Sequence, residues 1–198
     1  MDMDTAFRSE EQFTQAEFFE WRRRRPTSDI NHYELLSRHI VMTPPAGFPH
    51  APIEVRIGAA LLQHASRYRL GLVNGSSACF ELPSGDTVEP DVSFISAGRL
   101  AAGPRPEMGK FYRIVPDLVV EIVSPTTARR DMKEKKLIYE KNGIPEYWIV
   151  HPGSRHVRIL RLTGGKHSKP VHVVHGVVES SVLPGLEIPL ASIFADLE

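Results

Sequence analysis

Cysteine is almost missing from this chain: Cys79 stands alone among 198 residues. A single thiol excludes an intrachain disulfide and a cysteine-based zinc centre, and it agrees with a reducing compartment. A catalytic thiol is the less favoured use of it. Net charge is missing too. With 24 basic and 24 acidic side chains the formal balance is +0, so the whole chain gives no support to a polyanionic partner and only a local patch offers one. The local clusters are Arg22 to Arg25, and Arg129, Arg130, Lys133, Lys135 and Lys136. No uninterrupted apolar run approaches the ~20 residues of a membrane span. The opening Met1-Asp2-Met3-Asp4-Thr5 lacks the basic-then-apolar pattern of a secretory signal. The expectation is a cytoplasmic protein with no membrane partner. Repeats and low-complexity segments are absent as well, and 41% hydrophobic with 24% charged residues suits a globular chain of one domain, residues 1–198.

What is present is an order of elements. Thr14-x-x-Glu17 has capping-box spacing and Pro26 is a stop, which predicts a helix from Thr14 to Arg24 within an amino-terminal helical extension, residues 1–28. The Arg run reads as its solvated end. A short helix over Asn31 to Ser37 and a strand His39 to Met42 follow, ended by Pro44-Pro45. From Pro52 to Tyr68, Ile53, Ile57, Ala60, Leu61 and His64 recur at three- and four-residue steps, so this helix packs on one face, against a sheet. Leu70 to Asn74, Ala78 to Leu82 and Val88 to Ser96 are strand-like runs between turn-forming residues and read as an antiparallel meander. Gly98 to Gly109 reads as a loop. Then come an apolar strand from Pro116 to Val123, a helix from Thr127 to Asn142 stopped by Gly143, a strand over Ile144 to Val150, and Val157 to Leu162 pairing with Val171 to Val174 across Gly164-Gly165. This order predicts an α/β fold with a mixed sheet and extra carboxy-terminal strands.

The apolar strand Pro116-Asp117-Leu118-Val119-Val120-Glu121-Ile122-Val123 carries an acid at its centre. Removing a carboxylate from water costs several kcal/mol, roughly, unless a cation or donors compensate it. Alternation puts Asp117, Val119, Glu121 and Val123 on one face and Leu118, Val120 and Ile122 on the other. Asp91, after Pro90, begins another strand-like run, and if the two strands are neighbours Asp91 and Glu121 converge on a divalent cation. Hard oxygen ligands suit magnesium, which keeps several waters and takes one or two protein carboxylates. On the next helix Lys135 lies within the stripe of Ala128, Met132 and Tyr139. An ammonium there suits a phosphoryl oxygen gaining charge, and together these are the parts of metal-assisted phosphodiester hydrolysis. Each residue also has a plainer reading: Asp91 as a turn residue, Lys135 as a lysine that carries its ammonium past the stripe to water, and Glu121 as a buried pair with Lys135 that needs no metal. His167, His172 and His175 read as strand-surface residues, and Ser76-Ser77 as a turn rather than a nucleophile.

Pro90-Asp91, Pro116 through Glu121 to Ser124-Pro125, Lys135 with Tyr139, Gly143, and Pro145-Glu146-Tyr147-Trp148-Ile149-Val150 resemble the Uma-two family of endonucleases in the restriction-endonuclease-like, PD-(D/E)XK superfamily. The resemblance extends to Tyr33-Glu34-Leu35-Leu36 and His50 near the start, and to Val182-Leu183-Pro184-Gly185-Leu186 with Ile193-Phe194 at the end. In that family the lysine comes from the helix after the acidic strand, the position of Lys135. The resemblance implies an αβββαβ core, magnesium or manganese, a nucleic acid, most often DNA, as substrate, and a homodimer. Two positions depart from it. Arg38-His39 stands where members usually carry Gly-Glu, which leaves Glu34 or Glu54 as a substitute acid and His39 and His50 as accessory candidates. His151 replaces the usual aspartate after Trp-Ile-Val.

Overall fold

The computed structural model describes residues 7–124 and 131–197. The chain opens with β1 (Phe7–Arg8) and α1 (Gln15–Arg23). The helix begins where the sequence predicts because Thr14 caps it. Its hydroxyl accepts the Glu17 N–H, and the Glu17 carboxylate accepts the Thr14 N–H at 2.7 Å, a reciprocal capping box. α1 buries Phe18 against Tyr33, Leu35 and Ile40.

The segment Asn31 to Ser37, expected as a helix, is strand β2 (His32–Leu36), paired antiparallel with β3 (His39–Thr43). Ser37 and Arg38 make the turn between them with φ of 51° and 71°, and positive φ at both central residues is the type I′ hairpin geometry. Asn-Gly or Asp-Gly normally signals such a turn, and Ser-Arg gives no such cue. The Asp86 carboxylate holds the turn from outside by accepting the Ser37 N–H at 2.7 Å. In β2 the alternation then sends Tyr33 and Leu35 into the small core around Phe18, and Glu34 with Leu36 to the opposite face.

α2 (His50–Tyr68) is the long amphipathic helix, and β4 (Gly71–Gly75), β5 (Phe80–Glu81), β6 (Thr87–Val88) and β7 (Val92–Ser96) follow. They are not one meander. Pro90 has no N–H to give a ladder, and the run expected as a single strand from Val88 to Ser96 breaks there. β6 pairs with β5 and with β2, building the sheet β1-β3-β2-β6-β5, whereas β7 pairs with β4. The Gly98 to Gly109 stretch, expected as loop throughout, is preceded and entered by α3 (Ala97–Ala102), which Ser96 starts by accepting the Arg99 N–H.

β8 (Leu118–Ile122) runs antiparallel to β7 and parallel to β9 (Glu146–His151). A parallel pair needs a crossover. The expected helix over Thr127 to Asn142 has its first residues outside the described ones; what is described is a π-helical turn, Asp131–Lys135, that runs into α4 (Lys136–Lys141). Gly143, at φ 70°, takes the left-handed conformation that ends the helix. β10 (His156–Thr163) pairs with β9, with β11 (Lys166–His167) and with β12 (Val171–Val173), the hairpin expected across Gly164-Gly165. β13 (Val177–Glu179), β14 (Glu187–Pro189) and α5 (Leu190–Ile193) close the chain.

The succession α2, β4, β7, β8, the crossover with α4, and β9 is the expected αβββαβ core, on a mixed sheet of order β11-β10-β9-β8-β7-β4. One face of β8 packs Leu118, Val120 and Ile122 against Ile53, Ile57 and Leu61 of α2, each fully buried side chain contributing roughly 1.5–3 kcal/mol. The other face packs Val119 and Val123 with Ile138 and Tyr139 of α4 and with Leu36, Val41 and Val88 of the second sheet. Glu121 therefore lies between the two sheets and under the crossover.

Candidate active site

Glu121, 4% exposed, shares its face of β8 with Val119 and Val123, as the alternation predicts. The crossover brings Lys135, 2% exposed, back over it. Its Nζ lies 2.8 Å from Glu121 Oε1 and 2.9 Å from Glu34 Oε1. One turn later on the helix, Tyr139 donates its hydroxyl to the same Glu121 oxygen at 2.5 Å. Burial, reinforced by the Glu121 and Glu34 charges, pushes the Tyr139 hydroxyl well above its ordinary pKa, so it stays a donor. Glu34 arrives from β2 and also accepts the Glu89 N–H at 2.9 Å. An isolated buried charge would cost several kcal/mol, roughly, and the shared ammonium with its hydrogen bonds offsets that cost.

Behind Glu34 sits Glu89, buried by the β6 end and Pro90. Its Oε1 accepts from Cys79 Sγ at 2.8 Å and lies 3.4 Å from Arg22, and its Oε2 accepts the Tyr33 N–H at 3.2 Å and lies 3.3 Å from His32 Nδ1. Burial works to raise the Glu89 pKa, but the bonds from His32 and Cys79 and the Arg22 charge outweigh it and hold the group below its ordinary value. The Glu89 bond in turn raises His32. Burial, with Glu89 beside it, pushes the Cys79 thiol well above its usual value, so it is a donor to Glu89 and not a reactive thiolate.

Asp91 completes the cluster from the strand next door. The β7–β8 register pairs Val92 with Val120, and one step further brings Asp91 alongside Glu121. Asp91 Oδ2 accepts the Ile122 N–H at 2.6 Å and lies 3.1 Å from His50 Nε2. His50 opens α2, with its Nδ1 3.9 Å from Glu54 Oε2 one turn along. Burial by itself would lower the His50 pKa; the Asp91 carboxylate, with Glu54 behind it, more than reverses this and raises it.

The structure thus gathers Asp91, Glu121, Lys135, Glu34 and His50. It does not bring in His39, whose Nδ1 is 2.8 Å from the Ser9 carbonyl. Among the described residues His39 meets none of these carboxylates. Glu89, His32 and Tyr139 were missed as site residues. Glu89 had a signal of the same kind as Glu121, an acid closing the strand-like Thr87-Val88 run, while Tyr139 read only as part of an apolar stripe. Asp117 is tied instead to Arg99 at 2.7 Å and Glu146 to the Trp148 indole at 2.8 Å, both structural. His167, expected on a strand surface, is buried with Nε2 3.0 Å from the Ile144 carbonyl.

The donor chemistry fits a hard divalent ion: the β7–β8 register sets the Asp91 and Glu121 carboxylates opposite one another, and both offer hard oxygen donors. Among the described residues no group of three or more His, Cys, Asp or Glu side chains is arranged to hold an ion unaided, and magnesium, which retains water and takes one or two protein carboxylates, does not require one.

Comparison with known proteins bears on this arrangement. The fold matches the crystal structure of a putative nuclease belonging to DUF820 from Anabaena variabilis ATCC 29413, with a TM-score of 0.76, 17% identity, and coverage of 92% of this chain and 97% of that one. At that identity the likeness speaks for the fold. No curated protein matches the sequence, and no helix among the described residues is long and apolar enough to cross a membrane. The model of the family described as Uma2, "Putative restriction endonuclease", matches residues 15–191, nearly the whole of the αβββαβ chain with its carboxylate–lysine pocket, and the protein belongs to that family.

Proposed function

We propose that this protein is a magnesium- or manganese-dependent endonuclease that hydrolyses phosphodiester bonds of DNA. The observation that carries the reading is the buried ammonium of Lys135 set between Glu121 and Glu34, at 2.8 and 2.9 Å, with Asp91 bonded to the backbone next to Glu121. An aliphatic side chain would fill this space at lower electrostatic cost, so the charges call for a use. Asp91 and Glu121 would hold the metal, which supplies Lewis-acid charge and lowers the pKa of its water. Glu34 and Tyr139 fix the positions of Lys135 and Glu121. Lys135 offers a point charge to a phosphoryl oxygen as it gains charge. His50, its Nε2 3.1 Å from Asp91 Oδ2, would orient that carboxylate.

The test is incubation of supercoiled plasmid with the protein and magnesium or manganese, beside Glu121→Gln and Asp91→Asn. Cleavage by the wild type should fall at least a hundredfold in both, on the scale of losing one transition-state interaction; equal cleavage by all three overturns the reading. A second reading has its own support, since Glu121 Oε1 already serves both Lys135 and Tyr139: a non-cutting nucleic-acid or protein binding module with a purely structural ion cluster. That reading requires melting temperatures unmoved by magnesium or manganese in wild type and Asp91→Asn alike. The homodimer that the resemblance implies belongs to the nuclease reading, and sedimentation of the purified chain reads it directly.

A further inference from the structure

We propose that a pocket on α1 is a subsite for an unpaired nucleobase of the nucleic acid, with the adjoining phosphate on Arg24. The pocket holds about 370 Å³ and is lined by Phe13, Glu17, Glu20, Trp21, Arg24 and Arg25. Two aromatic rings and two guanidinium groups on one small surface are the materials of sequence-tolerant strand binding, where a base finds a π-face and its phosphate a cation. The acids in the lining are engaged. Glu17 is held by Thr14 through the capping box, and Glu20 pairs with Arg23 at 3.0 Å.

The aromatic platform is already built. The Arg25 guanidinium lies 5.1 Å from the Trp21 ring centroid and 5.5 Å from that of Tyr33, fixed by a 2.8 Å bond from Nε to Asp29. Tyr33 meets Trp21 edge-on at 4.9 Å, and Arg22 stands 5.1 Å from the Tyr33 ring. The exposed Arg24 side chain has no hydrogen-bond, ion-pair or ring partner among the described residues, an open cation on a chain whose formal net charge is +0. A phosphate group is a partner that this one open cation fits.

The platform is also coupled to the candidate active site. Arg22 meets Glu89 at 3.4 Å, the Glu89 N–H meets Glu34 at 2.9 Å, and Glu34 meets Lys135 at 2.9 Å. The α1 pocket is thus linked through buried contacts to the pocket that the proposed nuclease reading makes catalytic, and the proposal rests on that reading. It adds a requirement: the bound strand presents an unpaired base, either as single-stranded nucleic acid or in a locally opened duplex.

The experiment uses the full-length Glu121→Gln chain in EDTA, so that binding is read without cleavage. The chain has two tryptophans, and Trp148 is 0% exposed, so quenching of intrinsic fluorescence by an added oligonucleotide reports Trp21. A single-stranded oligonucleotide of mixed sequence should quench it saturably, and the matching blunt duplex should bind at least tenfold more weakly. Trp21→Leu should remove the quench and cost roughly tenfold or more in affinity, the scale of one base–aromatic stack. Arg24→Ala, at an exposed position that leaves the fold intact, should lower the slope of log affinity against log salt by roughly 0.7, one phosphate contact on a single strand. Full affinity and an unchanged salt slope in Arg24→Ala, or strand binding without a quench, overturns the subsite. Absence of plasmid cleavage by the wild-type chain, with the quench intact, overturns the nuclease reading and leaves a strand-binding module.

Discussion

Around Glu121 the central sheet buries charge, whereas around His151, on the same face of the neighbouring strand, it carries a stack of half-buried and exposed imidazole rings. At the first place carboxylates have cations within reach, Lys135 for Glu121 and Glu34, His50 for Asp91, His32 and Arg22 for Glu89. The imidazoles there are drawn toward their charged form: Glu89 raises His32, and Asp91 raises His50 against the effect of burial. At the second, His151 stacks on His156 with ring centroids 4.4 Å apart, and His156 on His172 at 5.8 Å. Nε2 of His151 and of His156 is buried with no hydrogen-bond partner among the described residues. Burial first, then His156, Arg158 and His172, lowers His151 to about 4. Histidine shifts in opposite directions at the two places, and what decides is whether a carboxylate reaches it.

The sharpest way to break this contrast is to remove the ammonium. Lys135→Met takes from the buried Glu121 and Glu34 the ammonium they share, and should cost about 3–5 kcal/mol in urea unfolding, the scale for breaking a buried pair from one side. Adding Glu121→Gln and Glu34→Gln to the same chain should recover most of that loss, because the two side chains that lost the ammonium are then neutral. A loss below about 1 kcal/mol in the single variant would mean that the pocket does not hold its acids ionised. Next in size is Tyr139→Phe, which deletes a donor to the Glu121 carboxylate and should cost about 1.5–3 kcal/mol, as for other hydrogen bonds to a charged group. The same deletion should raise the magnesium concentration needed for half-maximal thermal shift, since Glu121 loses the bond that fixes its orientation.

The sheet holding Glu121 was legible in the sequence and the sheet holding Glu34 was not. Hydrophobic alternation around Glu121 identifies both faces of β8 directly, and α2 declares itself through Ile53, Ile57 and Leu61. β2 hides because its hairpin turns on Ser37-Arg38, which lack the Gly or Asn that positive φ favours and depend on Asp86, distant in sequence, to hold them. With β2 taken for a helix, Glu34 had no route to Lys135. Pro90 was visible, yet its consequence, a strand that leaves one sheet and enters another, requires knowing that two sheets exist. Asp91, Glu121 and Lys135 could be grouped because each breaks a local pattern. Tyr139 conforms to its apolar stripe, and only its hydroxyl, 2.5 Å from Glu121, separates it from an ordinary core residue.

The smallest effects are the most direct test of the contrast, because they have opposite signs. His32 has a raised pKa in the folded chain. The folded state therefore binds more protons than the unfolded one above the ordinary value of 6.5, and the stability it contributes is full below that pH and lost as pH climbs through the raised value. His151 titrates near 4 when folded against 6.5 when free. Between those values the unfolded chain takes up more protons, so stability falls as the medium is acidified across that window and levels off beneath it. The penalty of His32→Gln, followed by melting temperature against pH, should thus be largest in acid and shrink on the alkaline side. The penalty of His151→Gln should be largest above 6.5 and shrink toward 4. Parallel profiles for the two variants would show that one environment governs both histidines, and would remove the electrostatic distinction between the two places.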